Sequence, residues 1–451
     1  MSEKLVVLII STIASFIVPF VGSSLNVALP SIEKEFSLDV ILLGWVAAST
    51  LLVSAMFVVP FGRLSDIYGR KKIFLYGMYI YTVSCILIPL STSSLMLISF
   101  RLLQGVGTSM IFGTSIAILT SVIPANERGR AIGFLTAAVY AGLSTGPVLG
   151  GFLTWHYGWR ILFITNIPFG ILIILLTHLY LKGEWAYAKD EKFDAAGSAI
   201  YCAALPLVLY GFTKLPSLFG AGLIAAGAFG LVIFVLYELK ISFPVLNMKL
   251  FKDNILFRYS NITALINYGA ASTTGFILSL YLQKIKGLDL KHAGILLMVQ
   301  PVIQTVFSPI AGKLSDSVEP KIVASIGMAI TFAGLFCFIF LGQDTNLWLI
   351  ALIMAVVGLG FALFSSPNTN AVMCSVDKKS YGIASATLAT MRNVGQTFSN
   401  GIIMLVFALI IGKVKIEPVH YPQFLQSIRI IFIIFSALCF IGIFMSLSRG
   451  K

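Results

Sequence analysis

Long apolar stretches alternate along the chain with short polar segments rich in Gly, Lys and Arg. The stretches are Leu5–Leu29, Val40–Pro60, Ile73–Leu90, Leu95–Ile123, Ala131–Leu153 and Ile161–Leu181, then Ala195–Lys214 and Leu218–Tyr237. Six more follow: Leu256–Leu282, His292–Ala311, Lys321–Leu341, Leu347–Ser366, Gly382–Ile411 and Ile428–Leu447. Most approach the ~20 residues that a helix needs to cross ~30 Å of hydrocarbon. The pattern predicts an all-α polytopic membrane protein of fourteen transmembrane helices arranged 6+2+6. The expected units are an N-terminal six-helix half (1–183), a linker with two extra helices (184–255) and a C-terminal six-helix half (256–451). The first stretch follows Lys4 as the apolar region of a signal peptide would, but it is too long and no small-residue cleavage site follows, so an uncleaved first helix is expected.

Composition excludes the soluble alternatives. Of 451 residues 58% are hydrophobic and only 11% charged, with a mean hydropathy of +0.96, whereas a soluble domain carries about 25% charge. The net charge of +13 does not indicate nucleic acid, because the Lys and Arg residues sit in short loops rather than clustered with aromatics on one face. Roughly twice as many fall on the side of the N-terminus as on the other, a bias that predicts both termini in the cytoplasm of a multi-pass cell-membrane protein. The loop Gln283–Lys291, with Lys284, Lys286 and Lys291, runs against that bias locally. The five cysteines and four histidines are scattered without ligand spacing, so neither a metal site nor a disulfide framework is expected. No G-x-x-x-x-G-K-[ST] loop is present, and Gly105-Val106-Gly107 lacks the third glycine of a dinucleotide fingerprint; no nucleotide and no cofactor is implied.

The most specific local signal is the segment Gly62-Arg63-Leu64-Ser65-Asp66-Ile67-Tyr68-Gly69-Arg70-Lys71-Lys72, which recurs in part as Gly312-Lys313-Leu314-Ser315-Asp316. Each copy follows the second apolar stretch of a six-helix half, and parallel repeats of this kind mark transporters with a substrate site between the halves. The glycines suit a tight turn between helices. Asp66 is placed to accept hydrogen bonds from the N-terminus of a neighbouring helix, and Arg70 to pair with a carboxylate such as Glu127. The expected role of Gly62, Asp66, Gly69, Arg70, Gly312 and Asp316 is gating at one membrane face. Within the spans, Arg101 is costly at ~2.5–3.5 kcal/mol and, beside Gln104, is expected to face a cavity; Arg392, with Gln396 one turn on, is expected to do the same. Gln300 and Gln304 share a helix face. Asn267 and Tyr268 lie mid-span, and for all four both substrate binding and helix–helix bonding are open. Gly142, Gly146 and Gly150 form successive small-x-x-x-small pairs that allow close helix packing, with Pro147 permitting a bend and Gly151 adjoining them.

These segments resemble the major facilitator superfamily over nearly the whole chain. The Gly62–Lys72 segment is similar to its G-x-L-a-D-r-x-G-r-k signature, Arg101-Leu102-Leu103-Gln104-Gly105-Val106-Gly107 to its R-x-x-q-G-x-g motif, and Gly142–Gly151 to the motif typical of exporters. Trp159-Arg160 with Asn166, Pro168 and Gly170, and Phe193-Asp194 with Gly197, resemble the fourteen-helix drug:proton antiporters, which include multidrug and tetracycline exporters. The resemblance implies a secondary-active, alternating-access exporter of small amphipathic compounds, with a small-molecule substrate, protons and the lipid bilayer as partners, of the kind that confers antibiotic resistance. The alternative is an exporter of a defined anionic or neutral metabolite without proton coupling. An enzyme would need a His, Asp or Glu constellation and a sensor a soluble output domain; neither stands out. One departure matters: family members often carry an aspartate five residues before the asparagine of N-V-A-L-P, where this chain has Val21 before Asn26. Proton coupling therefore comes from the resemblance and not from an intramembrane carboxylate. Two cavity arginines without an acid would favour neutral or anionic substrates over lipophilic cations.

Overall fold

The protein is described here from a computed structural model covering residues 2–38, 40–412 and 418–449. Two parts of the expected C-terminal half, 413–417 and the last two residues, lie outside the described residues, as does the side chain of Lys291. The described residues form helices and short turns with no strand. In order the α-helices are α1 (Glu3–Phe36), α2 (Val40–Tyr68), α3 (Arg70–Leu87), α4 (Ser94–Val122), α5 (Ala125–Tyr157), α6 (Ile161–Ile164), α7 (Ile167–Tyr180), α8 (Ala195–Thr213) and α9 (Leu218–Glu238). They continue as α10 (Met248–Asp253), α11 (Ile255–Lys284), α12 (Leu290–Leu297), α13 (Val299–Ser317), α14 (Pro320–Phe338), α15 (Leu347–Cys374), α16 (Tyr381–Ile410) and α17 (Tyr421–Leu447).

Among the described residues thirteen helical segments are long and apolar enough to cross a membrane, α6–α7 and α12–α13 each counting as one. The expected span Leu256–Leu282 corresponds to α11, which at 30 residues is long enough but is not among the thirteen segments apolar enough to count. Its Asn261, Thr263, Asn267, Thr273 and Thr274 are buried, so the polar groups turn away from lipid. Thr273, for example, meets the Ser399 hydroxyl of α16 at 2.6 Å. Helix starts coincide with side-chain caps that satisfy first-turn amides: Ser93 for α4, Asp194 for α8 and Asn254 for α11.

Several helices outrun their apolar stretches. α1 continues through Pro30 to Phe36 and stops where Ser37 turns left-handed (φ 50°). α2 continues to Tyr68, so Gly62–Asp66 is helical rather than part of a loop, and Gly312–Asp316 likewise lies inside α13. The turn is confined to Gly69, whose φ of 117° strongly favours glycine.

Apolar packing gathers into three clusters. One is built from α1, α3–α7 and neighbouring loops, with Phe74, Tyr81, Phe163 and Trp159 at its centre. A second joins α11 and α14–α17, with Phe257, Phe338, Phe361 and Phe432. A third is formed where Tyr201, Leu205 and Leu209 of α8 and Phe234 of α9 pack on Val58 and Val59 of α2 and Ile383 and Ala386 of α16. The extra helix pair thus lies against one helix from each end of the chain.

The glycines of α5 zip it to α1. A Cβ at Gly142 would stand 2.5 Å from the Phe16 carbonyl oxygen, one at Gly146 would meet the Ser23 side chain and lie 3.0 Å from the Phe20 oxygen, and one at Gly150 would lie 2.6 Å from Ser24 Oγ. Ser23 and Ser24 donate to the carbonyls of Gly142 (3.1 Å) and Gly146 (2.9 Å). Gly151 is looser, its Cβ position lying 3.4 Å from Val27, and Pro147 points outward. Gly146→Val should therefore cost ~1–3 kcal/mol by overpacking, read as a lower melting temperature of the detergent-purified protein. Gly44→Ala and Gly222→Ala, whose added Cβ meets nothing within 4 Å, should leave the melting temperature unchanged or slightly raised; equal losses at all three positions would contradict the zipper.

Candidate functional site

Asp66 sits near the C-terminal end of α2 and is fully buried. Its two carboxylate oxygens accept from the backbone amides of Gly382 (2.9 Å) and Ile383 (3.0 Å) at the start of α16. An anion there meets unsatisfied N–H groups and the positive end of a helix dipole. Arg70, one turn on, donates to Asp66 Oδ1 through Nε (3.0 Å) and Nη2 (2.6 Å). It also reaches Ser121 Oγ (2.6 Å) and the Lys378 carbonyl, and its guanidinium lies over the rings of Tyr187 and Tyr381. Close approach is possible because Gly62 faces α16: a Cβ on it would stand 2.7 Å from the Gly382 carbonyl oxygen.

The expected pairing of Arg70 with Glu127 is not what the structure shows. Glu127 lies on the exposed first turn of α5, 3.4 Å from Lys4, whereas the fully buried Arg70 folds back on Asp66. The glycines of the repeat also act differently from expectation: Gly62 and Gly312 serve helix contact, and only Gly69 makes a turn.

The second copy repeats the arrangement across the molecule. Asp316, near the end of α13, accepts from the amides of Gly129 (2.6 Å) and Arg130 (2.8 Å) in the N-terminal part of α5. Gly312 packs on the Gly129 carbonyl. Here the position one turn after the aspartate is Pro320, so no arginine hydrogen-bonds the carboxylate as Arg70 does Asp66, and Arg128 acts on it only through space. The two bridges are therefore unequal: one a buried, arginine-backed carboxylate, the other a half-buried one held by amides alone.

A cavity of about 660 Å³ lies beyond these bridges, lined by α1, α2, α4 and α5 from one side and α11, α13, α15 and α16 from the other. Of the expected residues, Arg101, Gln104, Gln300, Gln304 and Arg392 line it. Asn267 does not: it is buried with its amide 3.7 Å from Met328 Sδ, bonding helices instead. Neighbouring Tyr268 takes the cavity-facing position, its hydroxyl 3.2 Å from Ser365 Oγ. Arg101 is 3% exposed and donates to the Val46 carbonyl (3.2 Å) and Gln104 Oε1 (2.6 Å). Arg392 lies 4.6 Å from the centre of the Phe112 ring. Gln304 has an amide nitrogen with no partner. Among the described lining residues there is no Asp or Glu, and Val21 is one of them. The cavity wall is thus cationic, rich in amides and aromatic.

Several partners were not legible in the sequence. Phe112 and Tyr140 line the cavity, but an aromatic inside an apolar run carries no signal of facing. Trp159 and Arg160 converge on Glu35 at the end of α1, with the indole at 2.8 Å and the guanidinium bidentate at 2.6 and 2.7 Å. Arg63 pairs with Glu191 of the segment before α8. Only tertiary structure brings such distant residues together.

A family model described as Major Facilitator Superfamily matches residues 11–253 and 261–449. The chain is similar to the riboflavin transporter RibZ of Clostridioides difficile (strain 630), 30% identical over 449 residues that span 99% of this chain and 97% of that protein. It is also similar to the multidrug resistance protein Stp of Mycobacterium tuberculosis (strain CDC 1551 / Oshkosh), 29% identical over 90% of this chain and 76% of that protein. Among solved structures, the human organic anion transporter MFSD10 (TETRAN) shares the fold with a TM-score of 0.72 at 12% identity, covering 99% of this chain and all of that one.

The inequality of the bridges makes a prediction. Asp66→Asn strands a buried guanidinium and should weaken the α2–α16 contact by ~3–5 kcal/mol. Asp316→Asn removes only a charge at a helix N-terminus, worth ~0.3–2 kcal/mol. Both variants should insert normally. The first should slow transport at least about tenfold and the second distinctly less, measured in proteoliposomes at matched protein density. Wild-type turnover in Asp66→Asn would remove the bridge from the transport cycle.

Proposed function

The chain belongs to the Major Facilitator Superfamily, and from that premise we propose that it is a secondary-active exporter of small amphipathic compounds that works by alternating access. The observation that carries this reading is the pairing of a central cavity, lined by helices from both ends of the chain, with two mirrored carboxylate-to-amide bridges near one of its ends. Each bridge joins a helix of 1–183 to a helix of 256–451, so these two units are the bodies that rock, with 184–255 as the linker. Separating them breaks both bridges at once, which closes one face of the cavity in one state and frees it in the other. With both termini cytoplasmic, the bridged face is the inner one and this conformation presents the cavity outward.

The wall chemistry sets the substrate class. Arg101 and Arg392 face a space that no described carboxylate shares. A positive substrate would be repelled there with no counter-charge, while a neutral or anionic amphipath would find guanidinium, amide and ring faces. Proton coupling enters through the family resemblance. Val21 occupies the wall where relatives often have an aspartate, so a coupling proton would have to use an acid at the cavity's edge, with Asp66 the foremost.

A second reading is favoured by the same wall. Gln300, Gln304, Asn393 and Gln396 together with Phe112 and Tyr268 suit a neutral, planar, hydroxyl-bearing heterocycle, and the similar RibZ is a riboflavin transporter. A defined metabolite such as riboflavin would then be the substrate.

Both readings are tested in proteoliposomes loaded with a panel of a neutral amphipath, an organic anion, riboflavin and a quaternary ammonium dye, with and without an imposed pH gradient. Neutral and anionic compounds should be transported in preference to the dye. Arg392→Ala should lower anion transport about tenfold, for ~1–2 kcal/mol of lost attraction in a partly solvated site, and neutral transport far less. Export of the quaternary dye with anions ignored would overturn the charge assignment, and riboflavin transport alone would favour the second reading.

A further inference from the structure

Outside the central cavity, Arg449 is the most poorly matched charge among the described residues. It follows α17, is 1% exposed, and donates one hydrogen bond, from Nη2 to Thr263 Oγ1 (2.6 Å). Its Nε and Nη1 are buried with no partner, and no acid among the described residues pairs with it. A buried guanidinium without an anion costs several kcal/mol. In keeping with that, burial alone pushes its pKa down to about 9.

Arg449 lines a cavity of about 450 Å³ between α10 and the start of α11. The same cavity is lined by Lys249, Asn247, Ile255 and Leu256. Ile255 and Leu256 open the 30-residue α11, so their amides have no intrahelical acceptor and sit at the positive end of its dipole. Asn254 caps the next free amide, that of Phe257, at 2.8 Å, which leaves the first two for another acceptor. Asp253 is the one acid in the lining, outweighed by two cations and the helix terminus.

We propose that this cavity is a binding site for a phosphate ester, held by Arg449 and Lys249 and by the first-turn amides of α11. Phosphate suits it better than a carboxylate because a guanidinium, an ammonium and a helix end border the same cavity, and a tetrahedral anion offers acceptors in several directions at once. The site lies where α11 begins its passage through the bilayer, at the level of lipid headgroups. The phosphate comes either from an anionic phospholipid or from a soluble phosphate ester. Occupancy would tie α10, the start of α11 and the end of α17 together, independently of what the central cavity transports.

Binding is measured on the full chain purified in detergent. Native mass spectrometry with phosphatidic acid, phosphatidylglycerol and phosphatidylcholine reads the lipid source; thermal shift with glycerol 3-phosphate reads the soluble one. A phosphatidic acid adduct retained over phosphatidylcholine, and weakened at least about tenfold in both Lys249→Ala and Arg449→Gln, assigns the site to a lipid headgroup. A melting-temperature rise with glycerol 3-phosphate, lost in the same variants without selective lipid retention, assigns it to a soluble ester. Should Arg449→Gln fail to fold, the exposed Lys249→Ala decides alone. The proposal is overturned if no phosphate probe binds above the phosphatidylcholine control, or if binding persists unchanged in Lys249→Ala. Neither readout depends on transport.

Discussion

The carboxylate of Asp66, buried at the start of α16, constrains the rest of this structure. An ionised acid removed from water costs several kcal/mol unless every oxygen is satisfied. Here two backbone amides and the Arg70 guanidinium do so. That solution dictates its surroundings. Gly62 and Gly382 must lack side chains for the helices to approach, Gly69 must turn so that Arg70 begins a new helix, and Tyr187 and Tyr381 must cover the guanidinium. Asp316 repeats the carboxylate-to-amide half of this solution in the other direction, without the arginine. A contact made of charge, dipole and close backbone is strong when formed and cheap to hydrate when opened, because each group finds water on separation. A switch needs that property, since two states are useful only when they differ by a few kcal/mol.

Against these separable contacts stand others built to stay. α1 and α5 are zipped by three glycines meeting serine side chains and carbonyls. Glu35 at the end of α1 is clamped by Trp159 and a bidentate Arg160. α14 and α15 meet through Gly327 and Gly360 in the same manner. Membrane helices gain little from the hydrophobic effect once inserted, so their adhesion rests on close packing and interhelical hydrogen bonds. The distribution of small residues therefore marks which helices pack most closely.

The cavity combines a charge and its restraint. Arg101 is tied to a carbonyl and an amide rather than to an acid, which orients it without neutralising it. Arg392 rests on an aromatic face. In a space of low dielectric these positive groups act over longer distances than they would in water, and no carboxylate among the described lining residues offsets their field.

Much of this was written in the sequence. Bilayer thickness fixes the length of an apolar run, so the helices could be counted and the all-α class assigned. Even α11, which falls outside the thirteen most apolar segments, was legible, because its polar residues are too few to interrupt the run. The repeat at Asp66 and Asp316 was also readable, as was the turning of Arg101 and Arg392 away from lipid, since a charge inside a span must face something other than lipid; for Gln300 and Gln304 the sequence left cavity lining and helix–helix bonding open. What the sequence left undecided was partnership. Asp66 finds amides more than 300 residues away, Arg70 takes its own neighbour instead of Glu127, and of the adjacent pair Asn267 and Tyr268 only the tyrosine reaches the cavity. A helix face is set by a rotation of ~100° per residue, so facing depends on how whole helices pack. That packing is a property of many residues at once, and only the tertiary structure holds it.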